Sequence, residues 1–382
     1  MKKIGIITYQ DAINYGAILQ ANSLFEFLSI NYPDYSFSVI NYNSDLIESK
    51  ASVKRIICNN KISPVRKLKL LFGFVFTKIK EGKFKKISNK FKTTKIYNTN
   101  NIMDLNKDFD YFIIGSDQVW NYKLNHGDLT YFLNCVYDKN KIFTYASSIG
   151  LSEIDTEHKL IFRDNLSNVK MISVREKSAS NLLENLLKRK IPVVVDPVLL
   201  FGKEYWQKKI SKKKAKNNKT NILVYFFNKV NVDSSNVLIK REIKTPYIVN
   251  KLNGSISFLD FLSSRVKVSY SSGPLDFLKG IANSDYVMTD SFHCVVFSII
   301  YHKKFLFFPN GSTSETSSRI IDLLDYVGLK DNIYDINNPT INKTKTIRWE
   351  EVDKKIEKLR KKSIDYLNSI ISIIGEKDGI NE

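Results

Sequence analysis

Cysteine is scarce in this chain. Its 382 residues contain three, Cys58, Cys135 and Cys294, an odd number set far apart. No CxxC pair exists, so neither a disulfide framework nor a zinc ribbon is supported, and a reducing cytosol is the simplest setting. Histidine is as rare, with four residues, and no metal-ligand cluster is evident. Long apolar runs are missing too. The run from Leu70 to Thr77 is too short to span a bilayer. Ile4 to Ile7, behind Lys2 and Lys3, has a strand's length and is soon followed by Asp11, unlike a signal peptide. There is no GxGxxG, so a dinucleotide fingerprint is unsupported. No repeat of solenoid length is present.

Acidic residues are also short, 39 against 59 Lys and Arg, for a net charge of +20. The deficit is local. Residues 51–100 hold fourteen basic residues, from Lys54 to Lys95, and one acid, Glu81, which accounts for +13 of the +20. Val65, Leu68, Leu70, Leu71, Phe72, Phe74, Val75 and Phe76 interleave with them. Such a basic amphipathic stretch suits an anionic membrane surface. A solvated Lys-rich insertion is the plainer reading. No nucleic-acid module is recognisable, and no nucleic acid is expected as a partner.

What is present is an alternation of strands and helices. Length allows two domains, each with its own core. Lys3–Thr8 reads as a buried strand, followed by a loop through Asn14-Tyr15-Gly16 and a helix from about Ala17 to Ile30. Phe37–Tyr42 is the next strand. Asp110–Gly115 is another and ends in Ser116-Asp117-Gln118. Ile142–Ser147 leads to Ser147-Ser148, and Lys170–Arg175 reads as a strand ending in Arg175. Residues 207–220 lose hydrophobic periodicity and read as a linker. A second α/β run begins at Asn221. Within it Tyr286–Thr289 is a strand, Asp290 and Ser291 are good N-cap residues, and His293 falls in the first turn of an apolar helix. The last segment, from Trp349, is one long amphipathic helix.

This predicts an α/β, GT-B-like fold of two Rossmann-like domains with parallel sheets facing an interdomain cleft. The expected domains are 1–206, with the basic insertion at about 51–100; a linker at 207–220; 221–345; and a C-terminal helix over 346–382. Ligands collect at the carboxyl ends of strands in open α/β sheets. Asn14, Tyr15, Gly16, Ser116, Asp117, Gln118, Ser147, Ser148, Arg175, Asp290, Ser291, His293 and Arg319 all fall at such ends, and that shared placement makes a site. Tyr9, Asp11, Tyr145, Tyr270 and Trp206 are candidates to line a sugar subsite.

Several stretches, in this order, resemble the polysaccharide pyruvyl transferase family. They are Ala12–Ala17, Gly115–Asn121, Tyr145–Gly150, Ser173–Glu176, Val195–Val198 and Thr289–His293. The likeness covers roughly residues 4–330 outside the basic segment. It implies transfer of a pyruvyl group from phosphoenolpyruvate to a sugar of a surface polysaccharide or its lipid-linked precursor, leaving a pyruvate ketal. It further implies His293 as acid/base and Arg175 as the anion clamp. Neither a metal nor a cofactor is implied. An enzyme of this kind is expected in the cytoplasm, peripheral on the inner face of the membrane. Two positions depart from the pattern. Where the better-known members carry Arg two residues before the His, this chain has Ser291, and Arg319 is the candidate to replace that charge. Where a Gly commonly follows the His, it has Cys294. Two alternatives stay open: a GT-B glycosyltransferase using a nucleotide sugar, and a non-catalytic binding protein of a glycan pathway.

Overall fold

A computed structural model describes residues 1–44, 64–210, 218–252, 260, 263–309, 317–341 and 347–376. Residues 51–63 of the basic segment and 211–217 of the expected linker lie outside them. Two five-stranded parallel sheets carry the fold. The first is built from β1 (Lys2–Ile7), β2 (Tyr35–Tyr42), β3 (Lys92–Tyr97), β4 (Tyr111–Ile114) and β5 (Ile142–Thr144). The second is built from β6 (Thr220–Tyr225), β7 (Tyr247–Leu252), β8 (Val266–Ser269), β9 (Tyr286–Thr289) and β10 (Lys304–Phe307). Their orders, β3-β2-β1-β4-β5 and β8-β7-β6-β9-β10, are the same doubly wound topology used twice. The winding reverses between β1 and β4 in one sheet and between β6 and β9 in the other. Those two crevices are where such sheets bind ligands.

The central strands are apolar because both faces are covered. Ile4, Ile6 and Ile7 on β1, and Val287 and Met288 on β9, are fully buried. The helix Phe292–Ile300 is apolar on every side and buried along its whole length, as expected of a helix enclosed by the core.

The strand expected at Lys170–Arg175 does not form. Single bridges tie Met171 to Phe143 and Val174 to Ser147 and Val193. Side-chain oxygens interrupt the ladder: Ser173 N donates to Thr144 Oγ1 (2.8 Å) and Ala146 N to Ser173 Oγ (3.2 Å). Local hydroxyl acceptors here outcompete backbone pairing. Arg175 still ends beside the carboxyl end of β5.

The C-terminal helix Trp349–Glu376 returns to the first sheet. Tyr366 Oη donates to Thr144 O (3.0 Å), Val195 N to Ser363 Oγ (2.9 Å) and Lys2 Nζ to Ile374 O (2.7 Å).

The basic segment contributes the helix Pro64–Ser88, and its last turns pack on protein. Lys80, Phe84 and Ser88 are buried. Phe84 meets Tyr15 (ring centroids 5.5 Å apart), Phe76 meets Tyr270 (5.9 Å), and Lys83 pairs with Asp276 (2.6 Å). The segment therefore touches both halves of the chain and is not purely a solvated insertion. Val75, Lys78, Ile79, Lys85 and Lys86 remain on its exposed face.

Candidate functional site

The site is assembled where the two switch points meet. After β1 the chain loops to Asn14, whose exposed side chain caps the helix Tyr15–Asn31 by accepting from Gly16 N (2.9 Å) and Ala17 N (3.3 Å). After β9 it turns at Asp290-Ser291 into the helix Phe292–Ile300. The two helix starts come together: a Cβ built on Gly16 would lie 1.9 Å from His293 Nδ1. Only a residue without a side chain lets the first helix approach the imidazole this closely.

His293 is held from the other side by Asp196. Its Nε2 lies 3.2 Å from Asp196 Oδ2, and the same oxygen accepts from Arg175 Nη1 at 2.5 Å. Asp196 is wholly buried, which opposes ionisation. The charges of His293 and Arg175 and their hydrogen bonds outweigh that and hold the carboxyl well below its ordinary value. An ionised carboxylate only accepts, so Nε2 carries the proton and donates it to Asp196, while Nδ1 lies on the Gly16 side.

Arg175 also reaches Asp117 Oδ1 with Nη2 (3.3 Å). Burial opposes its charge, but Asp196 and Asp117 reverse the effect and raise its pKa. Asp117 itself takes a left-handed backbone (φ 74°) that aims its carboxylate inward.

Arg319 is different. It is 8% exposed and, among the described residues, forms no ion pair. With the Gln118 amide oxygen turned toward it, its terminal nitrogens find an acceptor at 3.2 and 2.9 Å, and Nε has none. Burial and the neighbouring charge of Arg175 lower its pKa to about 10. Gln118 is lodged against Gly150, whose φ of +64° and close approach exclude a side chain. Phe292 lies between the two guanidiniums, with ring-to-carbon distances of 4.6 Å to Arg175 and 5.5 Å to Arg319. The cluster thus holds one cation matched by carboxylates and one that is not.

Other expected site residues support the framework. Asp290 accepts from Phe227 N (2.9 Å), Asn228 N (3.0 Å) and Asn231 Nδ2 (3.3 Å), tying β9 to the loop after β6. It does not cap the helix after it. Ser291 occupies the N-cap position but makes no side-chain cap, and its amide donates to Thr289 Oγ1 (3.0 Å). Ser147 Oγ donates to backbone carbonyls of β4 and its extension, and Ser148 Oγ to Glu176 Oε1 (2.9 Å). Ser116 Oγ is buried without a partner. Tyr15 stacks on Phe277 (4.8 Å) and donates to Ser272 O (3.2 Å), joining the halves.

Tyr145 and Trp206 are core residues, 0% and 1% exposed, and cannot stack on a sugar. Trp120, in the Gly115–Asn121 stretch with Gln118, is also 0% exposed and stacks on Phe132. Burial raises the Cys294 thiol to about 12, which suits a space-filling residue rather than a nucleophile. Asp196 stands in the Val195–Val198 stretch, but nothing in the sequence around it pairs it with His293. A carboxylate closing an apolar run before Pro197 was the available signal. A cavity of about 500 Å³, lined by Lys203, His302, Asp353 and Arg360 among others, opens at the far end of the Phe292–Ile300 helix, away from this cluster.

Two like-wound Rossmann domains, a returning C-terminal helix and a charged cluster between them define the GT-B class. Solved structures agree at the level of fold. The UDP-N-acetylglucosamine 2-epimerase of Rickettsia bellii superposes with a TM-score of 0.50 at 12% identity, covering 98% of each chain. The UDP co-structure of MnaA from S. aureus gives 0.51 at 14%, covering 94% of this chain and 88% of that one. No curated protein matches the chain. Residues 14–312 match the sequence profile of the polysaccharide pyruvyl transferases, and the chain belongs to that family.

Proposed function

We propose that this protein transfers the pyruvyl group of phosphoenolpyruvate to a glycan or its lipid-linked precursor as a ketal. The observation that carries the reading is Arg319: a buried guanidinium that forms no direct ion pair among the described residues, beside the His293–Asp196–Arg175 cluster, in a chain of this family. It replaces the charge that Ser291 lacks.

The chemistry needs an acid, a base and an anion clamp. Protonation of the methylene carbon of phosphoenolpyruvate, with the proton drawn from His293 Nδ1, leaves a cation at the neighbouring carbon. A sugar hydroxyl bonds to that carbon and returns its proton to His293. The C–O bond to phosphate then breaks, and a second hydroxyl bonds to the same carbon to close the ketal, its proton passing to the departing phosphate, which leaves as hydrogen phosphate. Arg319 and the open Nε of Arg175 hold the phosphate and carboxylate. Asp196 keeps the imidazole in the tautomer that works through Nδ1.

Phosphate release from phosphoenolpyruvate with a surface-glycan acceptor tests the reading. His293→Ala lowers kcat by about 10²–10⁴, the range of a general acid/base. Arg319→Met raises KM for phosphoenolpyruvate by roughly tenfold or more, the scale of one charge-assisted hydrogen bond. Activity that survives both changes removes the mechanism. The fold likeness to UDP enzymes is the only support for a nucleotide-sugar donor, and UDP and GDP are the control ligands that test it.

The exposed face of the Pro64–Ser88 helix, with Val75 and Ile79 among Lys78, Lys85 and Lys86, supports docking on an anionic membrane where such precursors are assembled. No helix among the described residues is long and apolar enough to cross a membrane. The protein is expected to float with vesicles containing phosphatidylglycerol and to be released by 0.5 M salt, a concentration of roughly that order being enough to screen surface attraction. Equal flotation with phosphatidylcholine alone would count against docking.

A further inference from the structure

Apart from the Arg175–Arg319 cluster, a second buried cation stands without a carboxylate. Lys80 lies on the inner side of the Pro64–Ser88 helix, 6% exposed. Its Nζ sits 5.0 Å from the centre of the Tyr15 ring and 5.6 Å from that of Phe84. No acceptor reaches it among the described residues, and the neighbouring acids are engaged elsewhere. Glu81 pairs with Lys78 (2.9 Å), Asp276 with Lys83 (2.6 Å) and Asp11 with Lys92 (2.7 Å). Burying an unpaired ammonium is unfavourable, and a Met in its place would make the same ring contacts without that penalty. Desolvation lowers its pKa to about 8.

The position of Lys80 connects it to the cleft. Tyr15 directly precedes Gly16, the residue pressed against His293. The Tyr15 ring also meets Tyr225 (5.5 Å), the last residue of β6, at the switch point of the second sheet. The helix that carries Lys80 bridges both halves through Phe76, Lys83 and Phe84.

We infer that Lys80 binds a phosphate group of the acceptor substrate at this edge of the cleft, separate from the anion held by Arg175 and Arg319. Naming the ligand as acceptor rests on the pyruvyl-transfer reading; the anion site itself does not. A phosphate ester has the right charge and donor-hungry oxygens for a lone ammonium. It would come from a sugar phosphate or from the diphosphate of a lipid carrier.

The test uses pyridoxal 5′-phosphate as a phosphate-bearing aldehyde, followed by borohydride reduction and mass mapping of the full chain. Lys80 is expected to be labelled, with pyrophosphate lowering its labelling tenfold or more in the wild type and in Arg175→Gln. Protection by glucose 1-phosphate assigns a sugar phosphate, and protection by geranyl diphosphate assigns a lipid carrier; either supports the site. Labelling of Lys80 that pyrophosphate leaves unchanged overturns it. In the Arg319→Met background, which lacks the unmatched cation of the donor site, Lys80→Met should abolish the thermal shift given by pyrophosphate while Lys80→Arg keeps it. A shift that persists in Lys80→Met also overturns the proposal. Phosphoenolpyruvate binding unaffected by Arg175→Gln would fail the donor reading alone and leave the Lys80 result standing.

Discussion

Asp196→Asn lowers kcat by about 10²–10⁴ at saturating phosphoenolpyruvate, as expected when the partner of a general acid/base is lost. The change is one atom, and its geometry explains the size. Asp196 Oδ1 accepts from Val198 N (3.1 Å), while Oδ2 accepts from both Arg175 and His293. An amide in this place must turn its NH₂ toward either Val198 N or the Arg175–His293 pair, and both already donate. With the NH₂ toward His293 the ring is driven to the other tautomer, with its proton on Nδ1; with the NH₂ toward Val198, that amide loses its acceptor and a neutral oxygen replaces the charge that held Arg175 and His293. Nitrogen-15 shifts of the imidazole, read alongside the pH–rate profile, separate this from a general loss of structure.

The same substitution leaves Arg175 with a weakened partner in a buried setting, at a cost of about 3–5 kcal/mol. The pH dependence follows from the depressed pKa of Asp196. A carboxyl whose folded pKa lies below its unfolded value stabilises the fold above the unfolded pKa, about 4. That contribution is lost as pH falls through the lower folded value. Urea unfolding should therefore show the full gap between wild type and Asp196→Asn at pH 7, closing on acidification below about pH 4. A gap that grew in acid, or a kcat within threefold of wild type, would sink this role for Asp196.

Gly16→Ala is the second large effect. The added methyl would occupy space 1.9 Å from His293 Nδ1 and 2.3 Å from its Cγ, so the ring or the start of the Tyr15–Asn31 helix must move. Overpacking of this kind costs about 1–3 kcal/mol, which a domain of this size survives. The effect on rate is larger, because misplacing a reacting group by about 1 Å is enough for a hundredfold loss. The expected outcome is a folded protein with far-ultraviolet circular dichroism like wild type and kcat reduced about a hundredfold or more. Full activity in Gly16→Ala would show that Nδ1 is not the working nitrogen.

Much of the architecture was legible in the sequence because it rests on period and punctuation. The apolar runs at Ile4–Ile7 and Tyr286–Thr289, each followed by small polar residues and a helix, mark strand ends without any knowledge of contacts. What single stretches cannot express is pairing across the chain. Asp196 stands in the Val195–Val198 stretch, and its meeting with His293, 97 residues away, exists only once both sheets are wound. Gly16 stands among the candidate site residues after β1, but the group it admits, the His293 imidazole, comes from the other half of the chain. Asp290 had the chemistry of a helix cap, but the free amides of Phe227 and Asn228 after β6 captured it first. The strand expected at Lys170–Arg175 failed for a similar reason, since the hydroxyls of Thr144 and Ser173 took the places of ladder bonds. Tyr145 and Trp206 have faces suited to sugars, and only burial removes them from that role. The basic segment read as a surface feature from its charge, and its inner face, with Lys80 and Phe84 against Tyr15, was hidden in that average.

The central claim is that the Arg175–Arg319–His293 cluster binds phosphoenolpyruvate, and the thermal shift of the purified protein tests it most directly. Phosphoenolpyruvate, UDP and GDP would each be titrated against wild type, Arg175→Ala and Arg319→Met. A ligand at a hundred times its Kd adds about 2.7 kcal/mol to the folded state, a shift of several degrees. Phosphoenolpyruvate is expected to give this shift and both Arg variants to lose it, whereas any shift from the diphosphates of UDP or GDP belongs to the Lys80 site and survives in both Arg variants. A shift with UDP or GDP and none with phosphoenolpyruvate would contradict the claim.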